Sequence, residues 1–340
     1  MYTFKNLDQA LIGMSQTLLD QGMWRGVRGF SCLEIPHPVT IEITNPCDRY
    51  VTIEQRKWNK FLPFVESLWM ALGLNDLDSL PGRYVRNLYN FSDNGRTWRG
   101  GYGPRIRAFS GNHMDYDISE PNYRHIYVGS IKLVDQLSYI IQALQRDINT
   151  RQAIIEIGDP VKDDFDEHNQ LKETKDYPCT RSLQFMMVDG KLNLTIYIRS
   201  NDILWGFSAV NVTNFCILQE YVANILGVPV GKYYHIANNF HLYEEHLDRI
   251  KEFANLDPED YNRELVWWYP QQFKSLENFD TLINNLYSYE KFLYNGEVDA
   301  TEPVSFKNEM IDDWSKVFQQ FKDPDADIEF SNPYLNYLFS

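Results

Sequence analysis

The residue best suited to covalent chemistry is Cys179, which follows Pro178 at the end of an acidic stretch and precedes a predicted strand. A thiol at such a polar loop edge becomes nucleophilic where a nearby cation lowers its pKa. The alternative is a half-buried cysteine with a structural role, which is the commoner role of a single cysteine without such context. The position alone leaves both interpretations open.

Two more groups of polar residues occur at the ends of predicted strands. Arg199 and Ser200 end one strand, where an arginine and a hydroxyl side by side can bind two phosphate oxygens. The alternative is a solvated strand end capped by Asp202. His241 and Tyr243 alternate in a later strand, so both side chains point to one face. Such a pair can donate hydrogen bonds to a sugar hydroxyl, or it can be an ordinary surface or core pair.

An asparagine and a glutamate stand at chemically informative places on predicted helices. Asn211 opens a helix, where its side chain could read the amide edge of a base or serve as an ordinary N-terminal cap. Glu66 lies within the apolar stretch FLPFVESLWMAL, where an unpaired carboxylate would be costly. It is either part of a hydrogen-bonded structure or a catalytic acid with a shifted pKa.

These residues belong to a chain in which predicted strands alternate with long helices. Apolar residues at helical spacing predict an amphipathic helix over residues 1–24. Alternating runs within 182–200 surround Asp189-Gly190, a favoured tight-turn pair, and predict a β-hairpin. The other predicted helices span 61–74, 131–147 and 210–226. The other predicted strands lie in VTIEITNP, 150–160 and KYYHIANNFHLY. Two stretches are predicted loops, namely 92–105 and the acidic, solvated 161–176. This alternation favours an α+β fold.

Length and composition limit the class of protein. With 340 residues, 44% of them hydrophobic, the chain can bury a sizeable core. A formal net charge of −15 and the lack of a Lys/Arg-rich run argue against nucleic-acid binding, although a few arginines in a pocket can still bind one small anion. No apolar stretch approaches the ~18 residues of a membrane helix, and the first residues lack the features of a secretory signal.

The spacing of cysteines and histidines indicates neither disulfides nor a metal site. The four cysteines stand at unrelated spacings, without a CxxC pair. His235, His241 and His246 lie close in sequence but form neither an HExxH motif nor a Cys/His ligand set. We therefore expect a cytoplasmic protein with reduced thiols and no metal.

Taken together and in order, the segments from Pro178 to His246 resemble the catalytic stretch of the thymidylate synthase family. The segments that carry this resemblance are Pro178-Cys179, SLQF, DGKL, IRSND with Trp205-Gly206, Asn211, LQEYVA, Gly231 and NNFHLYEEH. Weaker similarities are VESLWMALG around Glu66, DNG followed by Gly101-Tyr102-Gly103, and VDQLSYIIQAL leading to Thr150-Arg151. The resemblance covers roughly residues 25–250. One extra residue within FSAV, before Asn211, departs from the family pattern.

The resemblance implies a fold, a domain organisation and an assembly. The expected fold is α+β and thymidylate synthase-like, with a mixed sheet packed by long helices and a sheet-to-sheet homodimer. Residues 1–250 would form the catalytic domain. Residues 251–340, which are acidic and aromatic, would form an extension packed on the same domain.

The resemblance also implies roles for individual residues in a reaction at carbon 5 of a pyrimidine nucleoside monophosphate. Methylenetetrahydrofolate would supply the one-carbon unit, and Cys179 would add to carbon 6 of the ring. The phosphate would be bound by Arg199, Ser200, Arg28 and, across the dimer, Arg151, whereas the sugar would be bound by His241 and Tyr243 and the base by Asn211. Water and proton transfer would depend on Glu66 and Tyr102. The folate would be contacted by Asp202, Trp98, Tyr89 and Gly206.

Departures from the synthase pattern favour hydroxymethylation over reductive methylation. Synthases protect the exocyclic methylene with tryptophans before the DNG and with a short apolar tail. Here RNLYNFSD contains Tyr89 but no tryptophan, Trp98 follows the DNG and could substitute, and the chain ends NPYLNYLFS. Thr180 and Gln152 also differ from the usual histidine and arginine. Looser closure would admit water to the methylene.

The expected product is therefore a hydroxymethylated nucleotide, of the sort that supplies modified bases for phage DNA. Asn211 favours dUMP, because an amide pairs with the carbonyl and N–H of uracil, whereas cytosine-specific relatives carry aspartate. The extra residue before Asn211 leaves dCMP open. A thymidylate synthase and a non-catalytic nucleotide-binding homologue remain as alternatives.

Overall fold

The computed structural model describes residues 1–27, 29–121, 127–128, 131–302 and 304–340. The helices are α1 Leu7–Gln21, α2 Leu62–Ala71, α3 Pro81–Tyr84, α4 Tyr102–Arg107, α5 Gln136–Arg146, α6 Pro160–Asp163, α7 Val212–Leu226, α8 Leu247–Ala254, α9 Leu276–Asn295, α10 Glu309–Lys322 and α11 Pro333–Phe339. Short 3-10 turns span Glu54–Arg56, Arg86–Phe91, Glu244–His246 and Pro258–Tyr261, and a π-helix spans Ile203–Asn211.

In the described residues the strands form a mixed six-stranded sheet, a smaller four-stranded sheet and one two-stranded pair. They are β1 Tyr2–Phe4, β2 Met23–Val27, β3 Phe30–Glu34, β4 Val39–Ile43, β5 Tyr127–Val128, β6 Ile131–Lys132, β7 Ile154–Glu156, β8 Thr180–Val188, β9 Lys191–Ile198, β10 Asn201–Asp202, β11 Val230–Ala237 and β12 Phe240–Tyr243. The larger sheet has the order β1-β4-β11-β9-β8-β7, in which β11 runs parallel to β9 and antiparallel to β4. Mixed sheets with packed helices confirm the α+β prediction.

Two features of this fold position the predicted site residues. The β8–β9 hairpin turns at Asp189 and Gly190, both with positive φ (50° and 74°), as a tight turn of this pair requires. This confirms the predicted hairpin. In the smaller sheet, of order β10-β12-β3-β2, β10 pairs with β12 in the register Asp202 opposite His241. Residues about forty positions apart in sequence therefore become neighbours.

Helix α7 is the centre of the hydrophobic core. Every residue from Val212 to Ile225 is buried, and the helix contacts α2, α5, β9 and β11. It ends at Gly227 with φ 70°, the left-handed conformation that glycine adopts without strain. Because α7 directly continues the π-helix, the packing of α7 in the core fixes the position of both helices.

Several boundaries differ from the sequence prediction. The predicted helix over 1–24 begins only at Leu7, because Tyr2–Phe4 forms a strand parallel to β4. The predicted loop 92–105 ends at Tyr102, where α4 starts.

The prediction that 161–176 is a solvated loop is wrong for its first part. Lys162 and Asp163 are buried in α6, and Asp163 pairs with Arg105 at 2.8 Å in a site where both side chains are excluded from solvent. Such a buried charge pair depends on a partner that local sequence does not identify.

The last ninety residues pack against the N-terminal half of the chain. Trp314 Nε1 donates to the Phe64 carbonyl at 3.0 Å, and Lys60 Nζ donates to the Leu338 carbonyl at 2.5 Å. The Phe339 ring lies 5.3 Å from that of Phe61. These contacts hold the start of α2, the helix that carries Glu66. In the described parts of the chain, no helix is both long and apolar enough to cross a membrane.

Candidate active site

The β8–β9 hairpin brings the predicted nucleophile and a cation together. Cys179 immediately precedes β8 and Arg199 immediately follows β9, and Arg199 N donates to the Cys179 carbonyl at 2.9 Å. Arg199 Nη2 lies 3.5 Å from the Cys179 sulfur. The guanidinium also donates to the carbonyls of Tyr177 (2.8 Å) and Pro178 (3.1 Å), which fixes its orientation. An adjacent cation favours a thiolate, so the geometry supports the nucleophile interpretation of Cys179.

Tyr102 contacts the backbone next to the nucleophile. Its hydroxyl oxygen accepts from Thr180 N at 3.2 Å, and its ring stacks on Phe215 with centroids 5.8 Å apart. Burial, reinforced by the neighbouring Cys179, raises the pKa of the Tyr102 phenol well above its usual value. The phenol therefore stays protonated and can donate to a ligand at this position.

Glu66 is held by a short chain of hydrogen bonds between α2 and α7. Asn214 Nδ2 donates to Glu66 Oε2 at 3.1 Å, and Ser67 Oγ donates to Asn214 Oδ1 at 3.1 Å. The serine thus orients the amide so that its NH2 faces the carboxylate. Burial raises the pKa of Glu66 to about 7, although the Asn214 hydrogen bond acts in the opposite direction. A carboxyl that titrates near neutrality can both accept and return a proton.

Asp202 caps the π-helix that ends at Asn211. Asp202 Oδ1 accepts from Leu204 N (2.9 Å) and Trp205 N (2.5 Å), and burial raises the pKa of this carboxyl to about 6. Asn211 has helical backbone angles (φ −65°, ψ −50°) and makes no side-chain cap bond. The helix-cap alternative for Asn211 is therefore wrong, because helical winding has already begun at Ile203, eight residues earlier. Asp202 performs that role instead, so the strand end that it follows is not simply solvated.

His241 and Tyr243 lie on one face of β12, as their spacing predicts. Their rings are 5.3 Å apart and nearly perpendicular, and the ring of Phe30 lies 5.7 Å from that of Tyr243. Burial lowers the pKa of His241. The imidazole is therefore neutral at physiological pH, with one nitrogen a donor and the other an acceptor.

Several buried polar atoms in this part of the sequence lack a hydrogen-bond partner within the described chain. They include Trp98 Nε1, Thr180 Oγ1, Asp202 Oδ2 and His241 Nδ1. A buried polar atom without a partner costs about 1–3 kcal/mol. Donors and acceptors left open in this way are suited to a polar ligand that supplies the missing bonds.

Other predicted site residues have different surroundings. Ser200 Oγ donates to Asn239 Oδ1 at 3.4 Å. Arg151 is exposed, and its carbonyl accepts from Gln184 Nε2 at 3.0 Å. The Tyr89 hydroxyl donates to Asp78 Oδ1 at 2.6 Å. Arg28 lies outside the described residues.

Gly206 meets a steric requirement that its sequence context did not reveal. A Cβ at this position would overlap the side-chain amide of Asn201, whose Oδ1 lies 2.9 Å from His235 Nε2. The absence of a side chain therefore lets the π-helix pack on the strand that carries Asp202.

Three residues of the site were missed by sequence reasoning. Asn214 stands three residues after Asn211 on one helical face, which was an available signal. Asp176, three residues before Cys179, accepts from Gly100 N at 2.8 Å through Oδ2, and burial raises its pKa. Arg56, far upstream, contacts the π-helix.

Comparison with known proteins shows to which family this chain belongs. The family model described as thymidylate synthase matches residues 14–292. This chain belongs to the thymidylate synthase family. Members of this family use methylenetetrahydrofolate as a co-substrate.

Relatives of this family member include two phage enzymes. A deoxyuridylate hydroxymethyltransferase of Bacillus phage SP01 is 35% identical over 245 residues, which cover 72% of this chain and 59% of the relative. A protein of the same name from Pseudomonas phage M6 is 32% identical over 253 residues, covering 74% and 64%. A putative thymidylate synthase of Methanocaldococcus jannaschii is 32% identical over 153 residues, covering 45% and 66%. The chain thus spans about three fifths of the length of the two phage relatives.

Proposed function

We propose that this thymidylate synthase family member is a one-carbon transferase that hydroxymethylates carbon 5 of dUMP through a covalent adduct of Cys179. The observation that carries the proposal is the Cys179 sulfur 3.5 Å from the Arg199 guanidinium, in a region with open buried donors and acceptors. The names of the two phage relatives support this choice of reaction.

The reaction proceeds by making carbon 5 nucleophilic and then adding water. The Cys179 sulfur bonds to carbon 6, and carbon 5 takes up the one-carbon unit that methylenetetrahydrofolate supplies. Carbon 5 then loses its hydrogen as a proton, and the bond between the one-carbon unit and the folate nitrogen breaks with tetrahydrofolate as the leaving group. A water oxygen adds to the exocyclic methylene that remains. The electron pair returns through the ring, the double bond between carbons 5 and 6 reforms, and the Cys179 sulfur leaves.

Nucleotide binding follows from the charges and polar atoms of the site. Arg199 and Ser200 hold the phosphate, with Arg28, and with Arg151 supplied by a second copy of the chain. His241 and Tyr243 bind the sugar, and the open Nδ1 of His241 gains a partner. Asn211 pairs with the carbonyl and N–H of uracil through its amide.

Proton transfer is the role of Glu66 and Tyr102. A pKa of about 7 lets Glu66 take a proton from the attacking water and return it to solvent. Tyr102 stays protonated and orients that water through its hydroxyl. Asn214 keeps the Glu66 carboxylate in place.

The residues present fit a polar heteroaromatic ring such as that of folate. Asp202 Oδ2 is an open buried acceptor and Trp98 Nε1 an open buried donor. Trp205, which directly precedes Gly206, is exposed and can cover the ring. Asp202, Trp98, Tyr89 and Gly206 would therefore hold the folate.

The assembly and domain organisation are part of the proposal. The outer face of the β8–β9 hairpin exposes Met186, Val188 and Tyr197, and an apolar sheet face of this kind fits a sheet-to-sheet homodimer. Residues 1–250 form the catalytic domain, and 251–340 form an extension packed on it. We propose that the protein acts in the cytoplasm, where both of its substrates, folate and a nucleoside monophosphate, are available.

Product analysis tests the proposed function. The protein is incubated with methylenetetrahydrofolate and either dUMP or dCMP, and the nucleotide mass and dihydrofolate absorbance are recorded. We expect dUMP to gain one CH2O unit without formation of dihydrofolate. A gain of CH2 with dihydrofolate would identify a thymidylate synthase, turnover of dCMP alone would identify a dCMP hydroxymethylase, and binding without a product would identify a non-catalytic homologue.

A further inference from the structure

One buried cation lies beside the site without a role in the proposed chemistry. Arg56 ends the 3-10 turn Glu54–Arg56 and is only 5% exposed. Its Nη2 donates to the Leu204 carbonyl at 2.6 Å, and its Nε donates to Ser208 Oγ at 3.3 Å. Both acceptors belong to the π-helix Ile203–Asn211.

The π-helix is a rare conformation that these contacts stabilise. In π-helical winding the hydrogen bonds join residues five apart, so one more residue fits into a turn than in an α-helix. Ser208 Oγ donates to the Ile203 carbonyl, five residues earlier, at 2.7 Å. Arg56 and Ser208 thus supply donors to two successive carbonyls at the start of the wide turn. A wide turn of this kind has room for the extra residue that the family resemblance implies before Asn211.

The wide turn fixes the position of Asn211 relative to Asp202. Asp202 caps the first residues of the π-helix, Asn211 is its last residue, and α7 continues without a break into the core. One residue corresponds to about 100° of rotation about a helix axis. If the wide turn tightened into an α-helical turn, the segment would shift by one residue, and the Asn211 amide would no longer face the same point.

We propose that Arg56 is a positioning residue that holds the π-helix so that Asn211 presents its amide to the base, and that it thereby sets the preference for uracil over cytosine. This inference rests on the proposed function, in which Asn211 reads the base. Arg56 acts through the π-helix and does not touch the nucleotide.

An arginine suits this position better than a lysine. Its planar fork donates in two fixed directions, to Leu204 and to Ser208, whereas a lysine ammonium is a point charge on a flexible stem. Burial and the nearby Arg249 lower the pKa of Arg56 to about 10, so it remains a cation at neutral pH, with Asp202 as the compensating charge. Arg249 Nη2 also donates to the Arg56 carbonyl, which ties the turn to α8.

The experiment compares Arg56→Lys and Ser208→Ala with the control Arg83→Lys. Arg83 forms a 2.7 Å ion pair with Glu290, between α3 and α9, so the control makes the same chemical change outside the site. Binding of dUMP and of dCMP is measured by titration calorimetry, and the melting temperature of each variant is recorded. The readout is the ratio of the two nucleotide affinities, which a loss of stability alone does not change.

We expect Arg56→Lys to lower the preference for dUMP about tenfold, the effect of losing one charged hydrogen bond. Ser208→Ala changes the preference in the same direction by a smaller factor, and it carries the test if Arg56→Lys does not fold. Arg83→Lys keeps the wild-type ratio. Wild-type ratios in both site variants would overturn the inference.

The outcome is distinguishable from failure of the proposed function. A wild-type protein that makes a methylated product contradicts the proposed hydroxymethylation, whereas the affinity ratios still decide the role of Arg56. A wild-type protein that binds neither nucleotide contradicts both proposals.

Discussion

The hydrogen bond from Asn214 to Glu66 gives the most detailed prediction about the proposed chemistry. Asn214→Leu keeps a side chain of similar size between α2 and α7 but removes the NH2 that donates to Glu66 Oε2 at 3.1 Å. A hydrogen bond to a charged group contributes about 1.5–3 kcal/mol. About 1.4 kcal/mol corresponds to one pKa unit. The variant should therefore raise the pKa of Glu66 by about one unit above its value of about 7.

The assay is the pH dependence of kcat/KM for dUMP. If the Glu66 carboxylate accepts the proton from water, activity rises with pH through the pKa of Glu66, and this rise moves upward by about one pH unit in Asn214→Leu. Asn224→Leu is the matched control on the same helix, because Asn224 bonds to the Pro270 carbonyl and Gln272 N and not to Glu66. It should lower stability without moving the profile. An unchanged or downward-shifted profile in Asn214→Leu would refute the reasoning.

The same carboxyl links stability to pH. A pKa raised from 4.5 to about 7 means that the folded state favours the protonated acid. Its contribution to stability is fully present below about pH 4.5 and is lost as the pH rises through about 7. Glu66→Gln removes this loss, so the variant should be more stable than wild type at pH 8, by about 3 kcal/mol, and closer to it at pH 5. Urea unfolding at both pH values measures the difference, and equal differences would contradict the prediction.

Three further predictions concern the surroundings of the site. Gly206→Ala places a Cβ against the Asn201 amide and should cost about 1–3 kcal/mol of unfolding free energy, whereas Gly26→Ala, which meets no neighbouring atom, should not. Asp202→Asn should raise KM for folate more than KM for dUMP, and an equal rise in both would contradict the folate assignment. Phe339→Ala removes a ring that packs on α2. It should lower the melting temperature while the whole chain still unfolds in one cooperative transition. A second transition at another temperature would contradict the proposal that residues 251–340 pack on the catalytic domain.

The parts of the fold that local residue types determine were predictable. Asp189-Gly190 gave the hairpin because few other residues adopt positive φ at two successive positions. The hairpin in turn placed Arg199 beside Cys179, although neither residue alone decided between a structural and a chemical role. Asp202 and His241 became neighbours through a strand pairing that their positions in sequence did not reveal.

The contacts that depend on packing between distant elements were not predictable from one sequence. Glu66 and Asn214 are 148 residues apart, and their contact requires α2 and α7 to cross at those residues. The burial of Asp163 depends on Arg105 in another helix. The π-helical winding before Asn211 was not predicted either. The Arg56 side chain that bonds to it lies 148 residues before Leu204 in the sequence, so local residue types did not reveal this contact.

The most direct test of the central claim measures release of tritium from carbon 5 of labelled dUMP, in wild type and in Cys179→Ser. The account predicts that wild type releases tritium in the presence of methylenetetrahydrofolate and forms hydroxymethylated nucleotide in equal amount. It predicts that Cys179→Ser still binds dUMP but releases no tritium, because carbon 5 becomes nucleophilic only when the sulfur is bonded to carbon 6. Tritium release by Cys179→Ser at the wild-type rate would contradict the account.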